Sequence, residues 1–187
     1  MSRPLRLLVG LLLLSAVLLT ATPHAAADTI AVQSAELRLE DEYYVLNAEF
    51  DFALNPTLEE ALEKGVPLYF ILEFELSRSR WYWRDERVAR LEIQYRVTYE
   101  ALTRQYRVGT GLLSQHLNSL EEVERLLSRV AARPVVKKED VTRGARYEAA
   151  IRLRLDVAQL PKPFQLTALA SRDWSLQSEW YRWNLTP

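Results

Sequence analysis

The sequence predicts a mainly β domain of the α+β class, an antiparallel sheet or β-sandwich with two short-to-medium helices packed on it. Three observations predict this. Four long segments alternate apolar and polar residues with a period of two, which turns one flank of an extended strand to a core and the other to water. The outward flanks are charged, and half-wet strands of this kind belong to antiparallel sheets, whereas parallel strands read as continuous apolar runs. Two stretches between them open with helix-start signals and carry apolar residues at helical spacing.

In chain order, residues 1–27 read as an export leader and not as part of the fold. Arg3 and Arg6 give a basic start, and residues 7–21 are apolar apart from Ser15 and Thr20. Pro23 ends any helix, and Ala25-Ala26-Ala27 has the small-x-small pattern of a signal-peptidase site, with Asp28 as the new N-terminus. As a helix the apolar run reaches about 22 Å, short of a ~30 Å hydrocarbon core, so cleavage is favoured over retention as an N-terminal membrane anchor. A bacterial lipoprotein anchor needs a Cys, and the chain has none. Residues 28–187 suit one exported domain able to bury about 70 % of its unfolded surface.

The strands follow. Residues 30–39 form a short one, and Glu40-Asp41-Glu42 is a hairpin turn. Tyr44, Leu46, Ala48, Phe50 and Phe52 then face one way, against Asn47, Glu49 and Asp51. A helix starts at Asn55-Pro56-Thr57, with Asn55 or Thr57 as N-cap and Glu60 in capping-box position to Thr57, and Gly65 stops it. Val66, Leu68, Phe70, Leu72, Phe74 and Leu76 point inward with Glu73 and Glu75 outward. Ala89, Leu91, Ile93, Tyr95, Val97 and Tyr99 repeat this against Arg90, Glu92, Gln94 and Arg96, and residues 105–110 make a shorter strand. The second helix starts at Ser119, with Glu122 three residues on, and its stripe of Leu120, Val123, Leu126, Leu127, Val130 and Ala131 carries it to about Ala131. Residues 136–146 read as a loop. Tyr147, Ala149, Ile151, Leu153, Leu155 and Val157 form the last long strand, and Pro161 and Pro163 break the chain before two short strands at 164–170 and 175–185.

Composition excludes more than it assigns. Without Arg3 and Arg6, 22 of the 24 basic residues remain against 25 acidic ones, which argues against a general nucleic-acid binder. All the basic residues but Lys64, Lys137, Lys138 and Lys162 are Arg, a skew that a GC-rich genome produces without functional demand, although Arg also binds carboxylates and phosphates bidentately. Once the leader is removed His116 is the sole histidine, and it lies in Gly111-Leu112-Leu113-Ser114-Gln115-His116, which lacks a nucleophile elbow; a loop histidine bonded to backbone is the simpler reading. One His and no Cys offer little for a zinc site, and Gly109 with Gly111 is a turn signal and not a phosphate loop, so no metal, cofactor or catalytic residue is assigned.

Two features keep alternatives open. Glu73 and Glu75 share a strand face about 7 Å apart, a spacing that acid/base pairs use in glycoside hydrolysis. The outward Arg90 and Arg96 on the neighbouring strand make a solvated charge ladder the stronger explanation. Trp81-Tyr82-Trp83 follows Arg80, and Trp174, Trp180, Tyr181 and Trp183 crowd the C-terminus. Adjacent aromatics cannot all enter one core from a strand, so Arg80, Trp81, Tyr82, Trp83 and Trp174 are the candidate interaction surface. The plainer alternative has Trp81 and Trp83 capping the core and Trp180 and Trp183 sealing a sheet edge.

Val45-Leu46-Asn47-Ala48-Glu49-Phe50-Asp51-Phe52, Asn55-Pro56-Thr57-Leu58-Glu59-Glu60-Ala61-Leu62 and Gly65-Val66-Pro67-Leu68 resemble a family of exported proteobacterial proteins, domain of unknown function 4390. Arg80-Trp81-Tyr82-Trp83, Leu102-Thr103-Arg104-Gln105-Tyr106, Leu160-Pro161-Lys162-Pro163-Phe164-Gln165 and Trp174 extend the resemblance over nearly all of the mature chain. It implies export and no assigned activity, with a link to a membrane sensor histidine kinase through neighbouring genes. The sequence thus favours a periplasmic, non-enzymatic binding or accessory module of an envelope partner. Its alternatives are a carboxylate-dependent hydrolase of envelope glycan and a structural envelope protein.

Overall fold

The alternating segments pair into two antiparallel sheets in the computed structural model, which describes residues 30–78 and 86–187. In the smaller sheet, β2 (Tyr43–Asp51) lies between β1 (Ala31–Glu40) and β7 (Arg129–Lys137). The larger sheet has six strands in the order β6 (Leu113–Leu117), β5 (Gln105–Thr110), β4 (Glu86–Glu100), β3 (Leu68–Arg78), β8 (Tyr147–Leu155) and β9 (Tyr181–Leu185). Two helices carry the chain between the sheets: α1 (Pro56–Glu63) leads from β2 to β3, and α2 (Leu120–Leu127) leads from β6 back to β7. A third helix, α3 (Lys162–Ala170), lies between β8 and β9. Among the described residues no helix is long and apolar enough to cross a membrane.

Period two decides which flank faces the core, while Val45 and Ile71 on the other flank are covered as well. On β3, Leu68, Phe70, Leu72, Phe74 and Leu76 are at most 1 % exposed, each contributing about 1.5–3 kcal/mol by leaving water. On β2, Tyr44, Leu46, Ala48 and Phe50 face the same core, joined by Phe52, whose ring meets that of Phe70 edge-on at 5.2 Å. The turn between β1 and β2 is the two residues Asp41 and Glu42, and Asp41 takes the left-handed conformation (φ 51°) that an Asp tolerates.

Local chemistry sets the helix ends. Asn55 caps α1: its Oδ1 accepts from the Leu58 amide at 2.9 Å, so it is Asn55 and not Thr57 that serves. Ser119 caps α2 by accepting from the Glu122 amide, while the Glu122 carboxylate reaches back to the Asn118 amide at 2.8 Å.

Several expectations need correction. Helix α2 stops at Leu127, because Arg129 and Val130 pair with Glu49 and Ala48 of β2 and, with Ala131, enter β7. The stretch from 136 is only partly loop, since Val136 and Lys137 complete that strand. Residues 164–170 are helix: Pro163 sits in the first turn, where no N–H is needed, and Phe164 and Ala168, four apart, pack on the core. His116 belongs to the exposed strand β6 and not to a loop. Of the last expected strand, only Tyr181–Leu185 forms one.

Candidate functional site

The outer face of the large sheet carries two constructions. The first is centred on Glu73. Its strand pairs with β4 on one side and β8 on the other, which places Arg152 directly opposite Glu73 and Arg154 two residues along. Arg152 Nε donates to Glu73 Oε2 at 2.5 Å and Arg154 Nε donates to the same oxygen at 3.1 Å. Arg90 stands 4.0 Å from the other oxygen. The guanidinium of Arg152 also lies over the Trp180 ring, 4.5 Å from its centre, so it is held both in its plane and on its face.

Glu73 is only 7 % exposed, so the outward flank is not uniformly wet. Burial alone raises its pKa, but the hydrogen bonds and charges of Arg152 and Arg154 outweigh this and bring it below the ordinary carboxylate value. A general acid needs the opposite shift. Glu75 has separate company, with Arg87 3.6 Å away. The expected cross-strand ladder exists, but its main partners come from β8 rather than β4, and Arg96 lies instead over Tyr69, 5.9 Å from the ring centre.

The second construction is a groove of about 630 Å³ where the β5–β6 hairpin ends and β4 runs on. Arg96 of β4, Arg107 of β5 and Arg133 of β7 line it, together with Glu92, Tyr69, Leu112 and Leu113. Two of these charges are already matched: Arg107 pairs with Glu100, and Glu92 with Arg90 at 3.1 Å. Among the described residues neither Arg96 nor Arg133 forms an ion pair. Burial pushes the phenol of Tyr95 up, and the nearby charge of Arg133 draws it partly back, which marks how closely β7 approaches β4 here. Beside these cations the hairpin tip presents Leu112 and Leu113, 104 % and 79 % exposed.

Of the residues singled out from sequence, Arg80, Trp81, Tyr82 and Trp83 lie outside the described residues. Trp174 is 4 % exposed, its ring tilted against that of Phe164 of α3 at 5.5 Å, and so faces the core. Trp183 packs against Phe74 at 6.2 Å and Trp180 covers Arg152. In the sequence Arg96 reads only as an outward rung of a charge ladder, and nothing marks Arg107 or Arg133. Only the meeting of β4, β5 and β7 groups them.

Fold and site together define a two-sheet antiparallel β protein with three crossover or capping helices among the described residues and an arginine-lined groove at the end of a hairpin. The chain belongs to the family described as a domain of unknown function (DUF4390), whose model matches residues 27–184. No curated protein and no solved structure matches it.

Proposed function

We propose that this chain is an exported, non-enzymatic binding module of the cell envelope, and that it holds an acidic segment of an envelope partner in the groove beside the β5–β6 hairpin. The observation that carries this reading is the pair Arg96 and Arg133, two cations without a carboxylate among the described residues, next to the fully exposed Leu112. An anionic peptide with an apolar flank satisfies both: carboxylates take the guanidinium forks, and a side chain covers the leucines. Export rests on the leader at residues 1–27, nearly all of which precedes the family match. The periplasmic segment of a membrane sensor histidine kinase is the partner that the family resemblance puts first.

The test is in-cell photocrosslinking from a benzoylphenylalanine at Leu112. One envelope protein should be trapped, and Arg96→Glu or Arg133→Glu should each reduce its binding by about tenfold, or about 1.4 kcal/mol, in purified form. Absence of an adduct, or an adduct indifferent to both charge reversals, removes the proposal.

A further inference from the structure

We propose that β6 is a self-pairing edge, through which two copies of this chain join antiparallel across a two-fold axis at Gln115 and make one continuous sheet. A sheet edge exposes unpaired N–H and C=O groups, and proteins blunt it with charge, proline, bulges or a cover. Among the described residues the two sheets have four edges, and three are blunted. Strand β1 carries a register shift between Val32 and Ser34, with Glu36, Arg38 and Glu40 beyond it. Strand β7 carries Pro134, two register shifts against β2, the left-handed Ala132 (φ 45°), and Arg129, Arg133 and Lys137. Strand β9 lies beside β1 and bears Arg182, paired with Glu148 at 3.4 Å.

Strand β6 is the least protected: Glu122, Arg125 and Leu126 of α2 share a pocket with Gln115, His116 and Leu117, but the strand itself carries no such device. It reads Leu113-Ser114-Gln115-His116-Leu117, without proline, lysine, arginine or carboxylate, and it pairs with β5 without a register shift. Residues 113–116 are exposed. A pocket of about 310 Å³ lies open along it, lined by Val108, Leu113 and Leu126 together with Thr110, Ser114 and Gln115.

The occupant follows from the edge's own sequence, which is its own complement. With Gln115 on the axis, Leu113 of each copy falls opposite Leu117 of the other, on the face where Leu117 already enters the core. Ser114 falls opposite His116, a hydroxyl and an imidazole able to share a hydrogen bond. No like charges oppose each other, and a self-complementary patch is what a two-fold interface requires. Leu113, 79 % exposed in the single chain, gains a neighbour at the rim of the second core.

The chain contains no cysteine, so Gln115→Cys introduces a lone thiol. Mild oxidation should yield a covalent dimer from this variant and not from Leu169→Cys, placed on the exposed face of α3. Light scattering on the unmodified chain should show the mass doubling with concentration, and Gln115→Lys, which sets two ammonium groups against each other on the axis, should weaken association at least tenfold with the far-UV circular dichroism spectrum unchanged. A monomer at the highest concentration, a dimer untouched by Gln115→Lys, or a Gln115→Cys variant that crosslinks only to a different protein overturns the proposal. Leu113 and Ser114 line both the groove and this edge, so the two are told apart by position: Arg96→Glu and Arg133→Glu alter only the groove, and Gln115→Lys only the edge.

Discussion

Glu73 shows what a single residue contributes on this sheet. Its carboxylate neutralises two half-buried guanidinium groups from β8. Glu73→Ala leaves Arg152 and Arg154 facing each other without it, and the expected loss is about 2 kcal/mol in urea unfolding, below the range for fully buried pairs because both arginines still reach water. The pH dependence has a fixed sign. A carboxylate whose pKa is depressed on folding contributes stability that is complete above the unfolded value and disappears as pH falls through the folded value. The melting-temperature gap between the parent chain and Glu73→Gln should therefore be widest near neutrality and close on acidification below about pH 4. A gap that stays constant from about pH 7 to about pH 3 contradicts this.

At the scale of elements, caps and crossovers govern where each segment begins and ends. Asn55 is buried and used twice, accepting from the Leu58 amide and donating from Nδ2 to the Asp173 carbonyl at 2.7 Å. Asn55→Ala should cost about 2 kcal/mol, since it uncaps α1 and strands that carbonyl, while Asn55→Asp keeps the cap and should fall between the two. Thermal denaturation of the three chains checks the order. Gly65, at φ +87°, ends α1, and Gly65→Ala should cost about 1 kcal/mol although its Cβ meets nothing within 4 Å. The helix starts were legible because a cap is chemistry within four residues of its own chain. The end of α2 was not, because Val130 suits either a helix stripe or β7, and only pairing with β2 chooses. The same limit applies to α3, where Phe164, Leu166 and Ala168 alternate like a strand, yet the segment is helical and packs Phe164 against Trp174.

For the whole molecule, both sheets and all their connections feed one core, so the described domain should unfold in a single transition. Phe70→Ala removes a ring at 0 % exposure that touches Phe52 and should cost about 3–5 kcal/mol. Its unfolding curves by tryptophan fluorescence and by far-UV circular dichroism should still coincide; separate midpoints would mean that the sheets are independent units. The central pairing of β3 with β8, Phe70 against Leu155, joins residues far apart in the chain, so refolding is expected in milliseconds to seconds and not in microseconds.

The sequence by itself determined which flank of each long strand turns to the core, where α1 and α2 begin, and that the sheets are antiparallel, because side-chain alternation and capping act between residues a few positions apart. Only the tertiary structure decided that β8 flanks β3, that Glu73 is held by arginines 79 and 81 residues away, and that β7 brings Arg133 to the groove. Neighbour choice among strands depends on packing energies shared across the whole core, and several strands of equal pattern compete for each place. Alternation says which way a residue faces and is silent about what it will face.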